Sequence, residues 1–151
     1  MALEMPISGS IVVESKPSAI ADVCKRILSN LEGNSFGQDD IFAVHLALEE
    51  AFINAVKHGN KMDSGKTVQI DYTVGLDKVE ISLTDQGEGF DPEAIPDPRL
   101  GNNLYRPEGR GLFLINSYMD VVKFNERGNR VYMVRYKEKP DLTKSRTRTG
   151  G

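Results

Sequence analysis

The stretch from Ile41 to Asn60, IFAVHLALEEAFINAVKHGN, constrains this chain more than any other. It has no proline, and no glycine before Gly59, so it predicts one long helix closed by Gly59 in the left-handed conformation that ends helices. On a helical wheel Ile41, Val44, Leu48, Ala51, Phe52 and Ala55 share a broad apolar arc that must face a core. Glu50 and Asn54, four residues apart, stack on the other side, with His58 one turn further along. Ala43 and Ala47 lie on that side too and leave room in front of it. A carboxylate and a carboxamide on a largely buried helix are costly without partners, which either the protein or a ligand must supply. Glu49 points about 100° away from Glu50, which suits a solvated or capping role. His58 in the last turn is favoured by the helix dipole whatever its function.

At 151 residues the chain is most simply one domain, large enough to bury roughly 70% of its unfolded surface. Its single cysteine, Cys24, cannot form an internal disulfide and lies on an apolar helical stripe, so it reads as a small core residue in a reducing compartment. The start of the chain lacks the pattern of a signal peptide, and no apolar run approaches the roughly 18 residues of a membrane span. A cytoplasmic protein without a membrane partner is expected. The net charge of −3, with both signs mixed along the chain, leaves no electrostatic footprint for direct nucleic-acid binding. Residues 140–151, where Lys144, Arg146 and Arg148 alternate with Ser and Thr, read as a basic disordered tail beyond a domain spanning residues 1–139.

Taken in order, Met5 to Glu14 predicts a first strand. Pro17 suits the first turn of a helix whose apolar residues, Ile20, Val23, Cys24, Ile27, Leu28 and Leu31, keep a 3.6-residue period until Gly33 ends it. Asp39 and Asp40 stand near the start of the long helix, where the dipole favours negative charge. Val68, Ile70, Tyr72 and Val74 alternate as a half-buried strand, and Val79, Ile81 and Leu83 alternate in the next. The same parity continues to Asp85, which puts a carboxylate on the buried side just before QGEGF; such a group asks for a specific donor. Asp followed by Gly is also ordinary turn chemistry. Residues 91–108 hold four prolines and read as a mobile lid between two glycine clusters. The second cluster, Gly109-Arg110-Gly111, runs into an apolar segment of helical length, Leu112 to Met119. Backbone N–H groups at such a helix start favour an anion, although a lone Gly-x-Gly is weak evidence. Two strands, Val121 to Asn125 and Arg130 to Tyr136, finish the domain around a Glu-Arg-Gly-Asn turn. This order predicts an α+β two-layer sandwich, with helices on one face of a mixed, mostly antiparallel sheet.

Glu50-x-x-x-Asn54, then Asp85-x-Gly87-x-Gly89, then Gly109-x-Gly111 after a long loop resembles the three nucleotide-binding boxes of the GHKL ATPases, which share the Bergerat fold. Within that superfamily the chain resembles the anti-sigma factor serine/threonine kinases, through Glu50-Ala51, Asn54-Ala55, His58-Gly59, Tyr118-Met119-Asp120 and its short length. The resemblance covers roughly residues 7–137. It implies ATP and Mg²⁺ as cofactors, with Asn54 as a metal ligand and Asp85 as acceptor of the adenine amino group. Gly87 and Gly89 would pass close to the base, and Gly109 to Leu112 would place N–H groups on the phosphates. Arg106 or Arg110 would neutralise charge on the transferred group, and Glu50 would be the catalytic base. Many superfamily members carry a Thr in the last or penultimate strand; here the chain reads Gly128-Asn129-Arg130-Val131, and no residue is carried over.

The function implied is a kinase that phosphorylates a Ser or Thr of a STAS-type anti-anti-sigma partner and sequesters a sigma factor, with a homodimer as the family's usual assembly. The alternative is a nucleotide-dependent sequestration module with little or no kinase activity; Glu50 favours the kinase, since a pure binding module needs no base there. The catalytic domain of a two-component histidine kinase fits less well, because no helical hairpin carries a phosphorylatable histidine.

Overall fold

A computed structural model describes residues 6–87 and 114–138. Strand β1 (Ile7–Glu14) leads through a short 3-10 turn (Pro17–Ala19) into helix α1 (Ile20–Gly33), followed by helix α2 (Gln38–Asn54) and a single π turn (Ala55–Gly59). Strands β2 (Thr67–Val74) and β3 (Lys78–Asp85) form a hairpin; residues 114–118 are helical, and β4 (Val121–Phe124) and β5 (Arg130–Tyr136) form a second hairpin. The sheet order is β1-β2-β3-β5-β4. The sequence allowed a mixed sheet, but every pairing among the described strands is antiparallel.

The two-layer arrangement follows from the alternation in the strands. Val68, Ile70, Tyr72 and Val74 of β2 and Val79, Ile81 and Leu83 of β3 are buried in one core with Val23, Ile27 and Leu31 of α1 and Val44, Leu48 and Phe52 of α2. The α+β sandwich with its helices on one face is therefore the observed architecture. Tyr72 also explains Gly9: a Cβ at Gly9, its antiparallel partner, would run into the phenol ring.

Helix α2 starts at Gln38, three residues before Ile41, because its first turn is anchored from afar. The Asp40 side chain is 1% exposed and accepts a 2.8 Å hydrogen bond from Arg135 Nε, while its other oxygen accepts from the Glu138 backbone N–H. Arg135 Nη1 in turn donates to the Tyr118 carbonyl, so one guanidinium ties α2, β5 and the helical turn together. The dipole argument thus places Asp40 correctly but misses its main partner. Removing one half of a buried pair strands the other. Asp40→Ala is expected to cost about 3–5 kcal/mol in urea unfolding; a loss below about 1 kcal/mol, the range of exposed ion pairs, would show that solvent takes over Arg135.

Candidate functional site

Glu50 and Asn54 sit one turn apart at the C-terminal end of α2, both partly exposed. Among the described residues neither side chain has a hydrogen-bond or ion-pair partner, so both are available to something else. Glu49, by contrast, turns away to His45, with Nε2 to Oε1 at 2.7 Å. One expectation needs correcting. Ala43 and Ala47 do not leave open space beside this face: they are 3% and 1% exposed, and Ala47 belongs to the core.

The end of the helix also differs from the sequence expectation. The regular α-helix stops at Asn54 and widens into the π turn, with the Asn60 N–H reaching back to the Ala55 carbonyl at 2.7 Å. Such widened turns recur at functional sites. The left-handed residues that turn the chain away are Lys61 (φ 53°) and Met62 (φ 61°), not Gly59. Gly59 is required for space instead: a Cβ there would collide with the Asp85 carboxylate. Gly87 is constrained likewise, since its Cβ would strike the Gly59 carbonyl oxygen. The two glycines let the helix end and the loop after β3 pass against each other with Asp85 between them.

Asp85 continues the inward parity of β3, paired with Val68 of β2, and is 8% exposed. Its Oδ1 accepts the Gly87 backbone N–H at 2.8 Å. Oδ2 has no hydrogen-bond partner among the described residues. Burial pushes the carboxyl pKa up, and the Gly87 N–H, Arg127 and Lys66 pull it partly back.

The backbone around Asp85 is held by two asparagines. Fully buried Asn60 accepts the Gln86 N–H at 2.8 Å and donates to the Thr67 carbonyl and Ser15 Oγ, which staples the helix end to β2 and to the end of β1. Gln86 Oε1 accepts the Thr67 N–H at 2.8 Å. Asn129 exchanges two bonds with Asp85, its amide to the Asp85 carbonyl and its carbonyl from the Asp85 N–H. Arg127 Nη2 donates to the Gly87 carbonyl at 3.1 Å. Sequence reasoning missed Asn60, Arg127 and Asn129 as members of this frame. The available signal was weak: an asparagine directly after a helix-closing glycine, and one in a hairpin turn.

Of the residues singled out from the sequence, the structure sets Glu50 and Asn54 on α2, and Asp85 and Gly87 at the end of β3 beneath the π turn. Gly89, Arg106, Gly109, Arg110, Gly111 and Leu112, with the lid and the basic tail, lie outside the described residues. Among those described, no helix is long and apolar enough to cross a membrane.

This arrangement can be set beside known proteins. A family model described as a histidine kinase-like ATPase domain matches residues 13–135. A serine-protein kinase RsbW of Staphylococcus epidermidis is 37% identical over 112 residues, covering 69% of this chain and 70% of its own. Its counterpart in Oceanobacillus iheyensis is 32% identical over 135 residues, 82% of this chain and 83% of its own. In a crystal structure of the RsbU and RsbW domains of a Mycobacterium tuberculosis protein, the likeness has a TM-score of 0.60 at 16% identity, over 88% of this chain. This chain spans 33% of that longer one, and the likeness speaks for the fold alone.

Proposed function

We infer the function from the family: the chain belongs to the histidine kinase-like ATPases and, within them, to the RsbW-type serine-protein kinases. It is a cytoplasmic anti-sigma factor that transfers phosphate from Mg-ATP to a Ser or Thr of a STAS-type anti-anti-sigma protein and sequesters a sigma factor, as a homodimer. The observation that carries this reading is the buried Asp85 acceptor, wedged between two glycines that leave no space for a Cβ, under the end of the helix bearing Glu50 and Asn54.

The residues fit an adenine nucleotide. A purine amino group needs an acceptor in a narrow slot, and Asp85 has one oxygen occupied by the Gly87 N–H and the other without a protein partner among the described residues. Mg²⁺ takes oxygen ligands and keeps several waters, so a single neutral carboxamide such as Asn54 suffices beside the phosphates. When bound, Mg-ATP supplies the phosphoryl group and the charge neutralisation its transfer needs. The chain's own residues do the rest. Asp85 would accept from the base with Gly87 beside it, and the family resemblance assigns Gly89 to the base and the N–H groups of Gly109, Arg110, Gly111 and Leu112 to the phosphates. Arg106 or Arg110 offsets charge on them. Glu50, one turn from Asn54, takes the proton of the incoming hydroxyl.

Calorimetric titration with ATP and ADP, first with Mg²⁺ and then with EDTA, tests the site. Wild type is expected to lose roughly tenfold or more in ATP affinity without the metal, about 1.4 kcal/mol. Asn54→Ala is expected to bind ATP equally with and without it. Absence of nucleotide binding under both conditions, or an Asn54→Ala protein as metal-responsive as wild type, would overturn the corresponding assignment. Transfer of labelled phosphate to STAS proteins then tests the kinase activity.

A further inference from the structure

On the side of α2 that carries His45 and Glu49, away from Glu50, a second cluster of chemically capable side chains forms against α1. His45 and Glu49 occupy successive turns of α2, and Cys24 faces them from α1. A ligand atom from each, the Cys24 sulfur, an imidazole nitrogen and a carboxylate oxygen, lies within 4.8 Å of the other two. The ordinary account treats these as a surface i,i+4 pair of little energetic value and a small core residue. That account leaves the Glu49 carboxylate close to a buried thiol. A cation between the groups would reverse the unfavourable contact.

The geometry suits an ion. Zinc binds sulfur at about 2.3 Å and nitrogen or oxygen at about 2.0–2.2 Å, so a tetrahedral site spaces its ligand atoms by roughly 3.3–3.8 Å. The His45–Glu49 separation of 2.7 Å must widen, and the side chains that move are 43% and 46% exposed, free to change rotamer. Cys24, 6% exposed, is the fixed wall. We propose that Cys24, His45 and Glu49 form a three-ligand site for a divalent transition metal of the zinc class, which clamps α1 to α2 and leaves a fourth position to water. One thiolate, one imidazole and one carboxylate select against Mg²⁺ and Ca²⁺, which take oxygen ligands. The thiol proton passes to solvent on binding. Although Glu49 directly precedes Glu50 in the chain, the three ligands are not nucleotide residues, and the site stands independently of their assignment.

The test uses Co²⁺ as a spectroscopic stand-in for zinc, titrated into the full chain without nucleotide and with Mg²⁺ in excess. A saturable 1:1 thiolate-to-cobalt charge-transfer band with tetrahedral visible bands, displaced by Zn²⁺, is expected. Cys24→Ser is expected to abolish the charge-transfer band. His45→Gln, at a half-exposed position that leaves the core intact, is expected to weaken Co²⁺ binding at least about tenfold and to cancel the rise in melting temperature that Zn²⁺ gives wild type. A spectrum of aqueous Co²⁺ only, or His45→Gln binding as tightly as wild type, would overturn the site, and the latter readout holds even if Cys24→Ser fails to fold.

Discussion

Asp85→Asn is expected to lower the affinity for both ATP and ADP by about 10²-fold, roughly 2.7 kcal/mol, while the nucleotide-free protein melts no lower than wild type at neutral pH. The substitution is isosteric, and the asparagine oxygen still accepts the Gly87 N–H that Asp85 accepts at 2.8 Å. What changes is the second atom, which becomes a donor where the proposed site needs an acceptor for the adenine amino group, itself a donor. The stability half of the expectation follows from the raised carboxyl pKa, which burial causes. A folded pKa above the unfolded value means the native state binds the proton more tightly. The stability this gives is complete below the ordinary carboxylate value of about 3.9 and is lost as pH rises through the folded value. At neutral pH wild type therefore bears the cost of a desolvated carboxylate and the amide variant does not. The gap between them is expected to close as pH falls through that window. ATP affinity of wild type is expected to fall from a pH above that of an ordinary carboxylate, since a protonated Asp85 is no longer a free acceptor. Titrations at neutral pH and melting scans down to pH 4 check both halves. An unchanged ATP affinity would remove Asp85 from the adenine site.

What local pattern could reveal, it did. The period-2 run of β2 and β3 shows which side chains point at the helices, and extending that parity by one step puts Asp85 inside; both are seen in the fold. The α1 stripe is likewise recovered, with Val23, Cys24, Ile27 and Leu31 buried. Glu50 and Asn54 share one helical face because their spacing is a property of the helix, whatever surrounds it. Several of the failures involve partners distant in sequence. Asp40 extends α2 toward its N-terminus through Arg135, and Asn60 holds the Asp85 loop through Ser15, Thr67 and Gln86. Glycine at a helix end ordinarily signals φ freedom, which is what the local sequence suggests for Gly59. Its actual constraint is the carboxylate packed on it, from a strand the local window does not contain. A π turn is equally invisible: its bonding pattern differs from an α-helix by one residue, and no side-chain spacing in AVKHG announces it.

Glu50→Gln is expected to leave ATP affinity within about twofold of wild type and to reduce phosphate transfer to a STAS substrate by about 10²-fold or more, the scale of a lost general base. Glutamine keeps the length, polarity and helix propensity of glutamate, and Glu50 has no hydrogen-bond or ion-pair partner among the described residues that the change would strand. The fold should therefore be indifferent. Affinity should be indifferent too, because in the proposed site the base would act on the incoming hydroxyl while Asp85 and Asn54 would hold the nucleotide. A fall in kcat with KM for ATP unchanged is the signature of an interaction made only in the transition state. The companion Glu50→Ala separates two readings of such a loss. If Glu50 accepts a proton, Gln and Ala lose transfer about equally; if it merely fills space beside Asn54, Gln retains it and Ala does not. Normal transfer in both variants would leave Glu50 a surface residue of α2. If wild type itself binds ATP and captures a sigma factor but transfers no phosphate, ATP would act by selecting the binding conformation, and sequestration would replace catalysis as the purpose of the site.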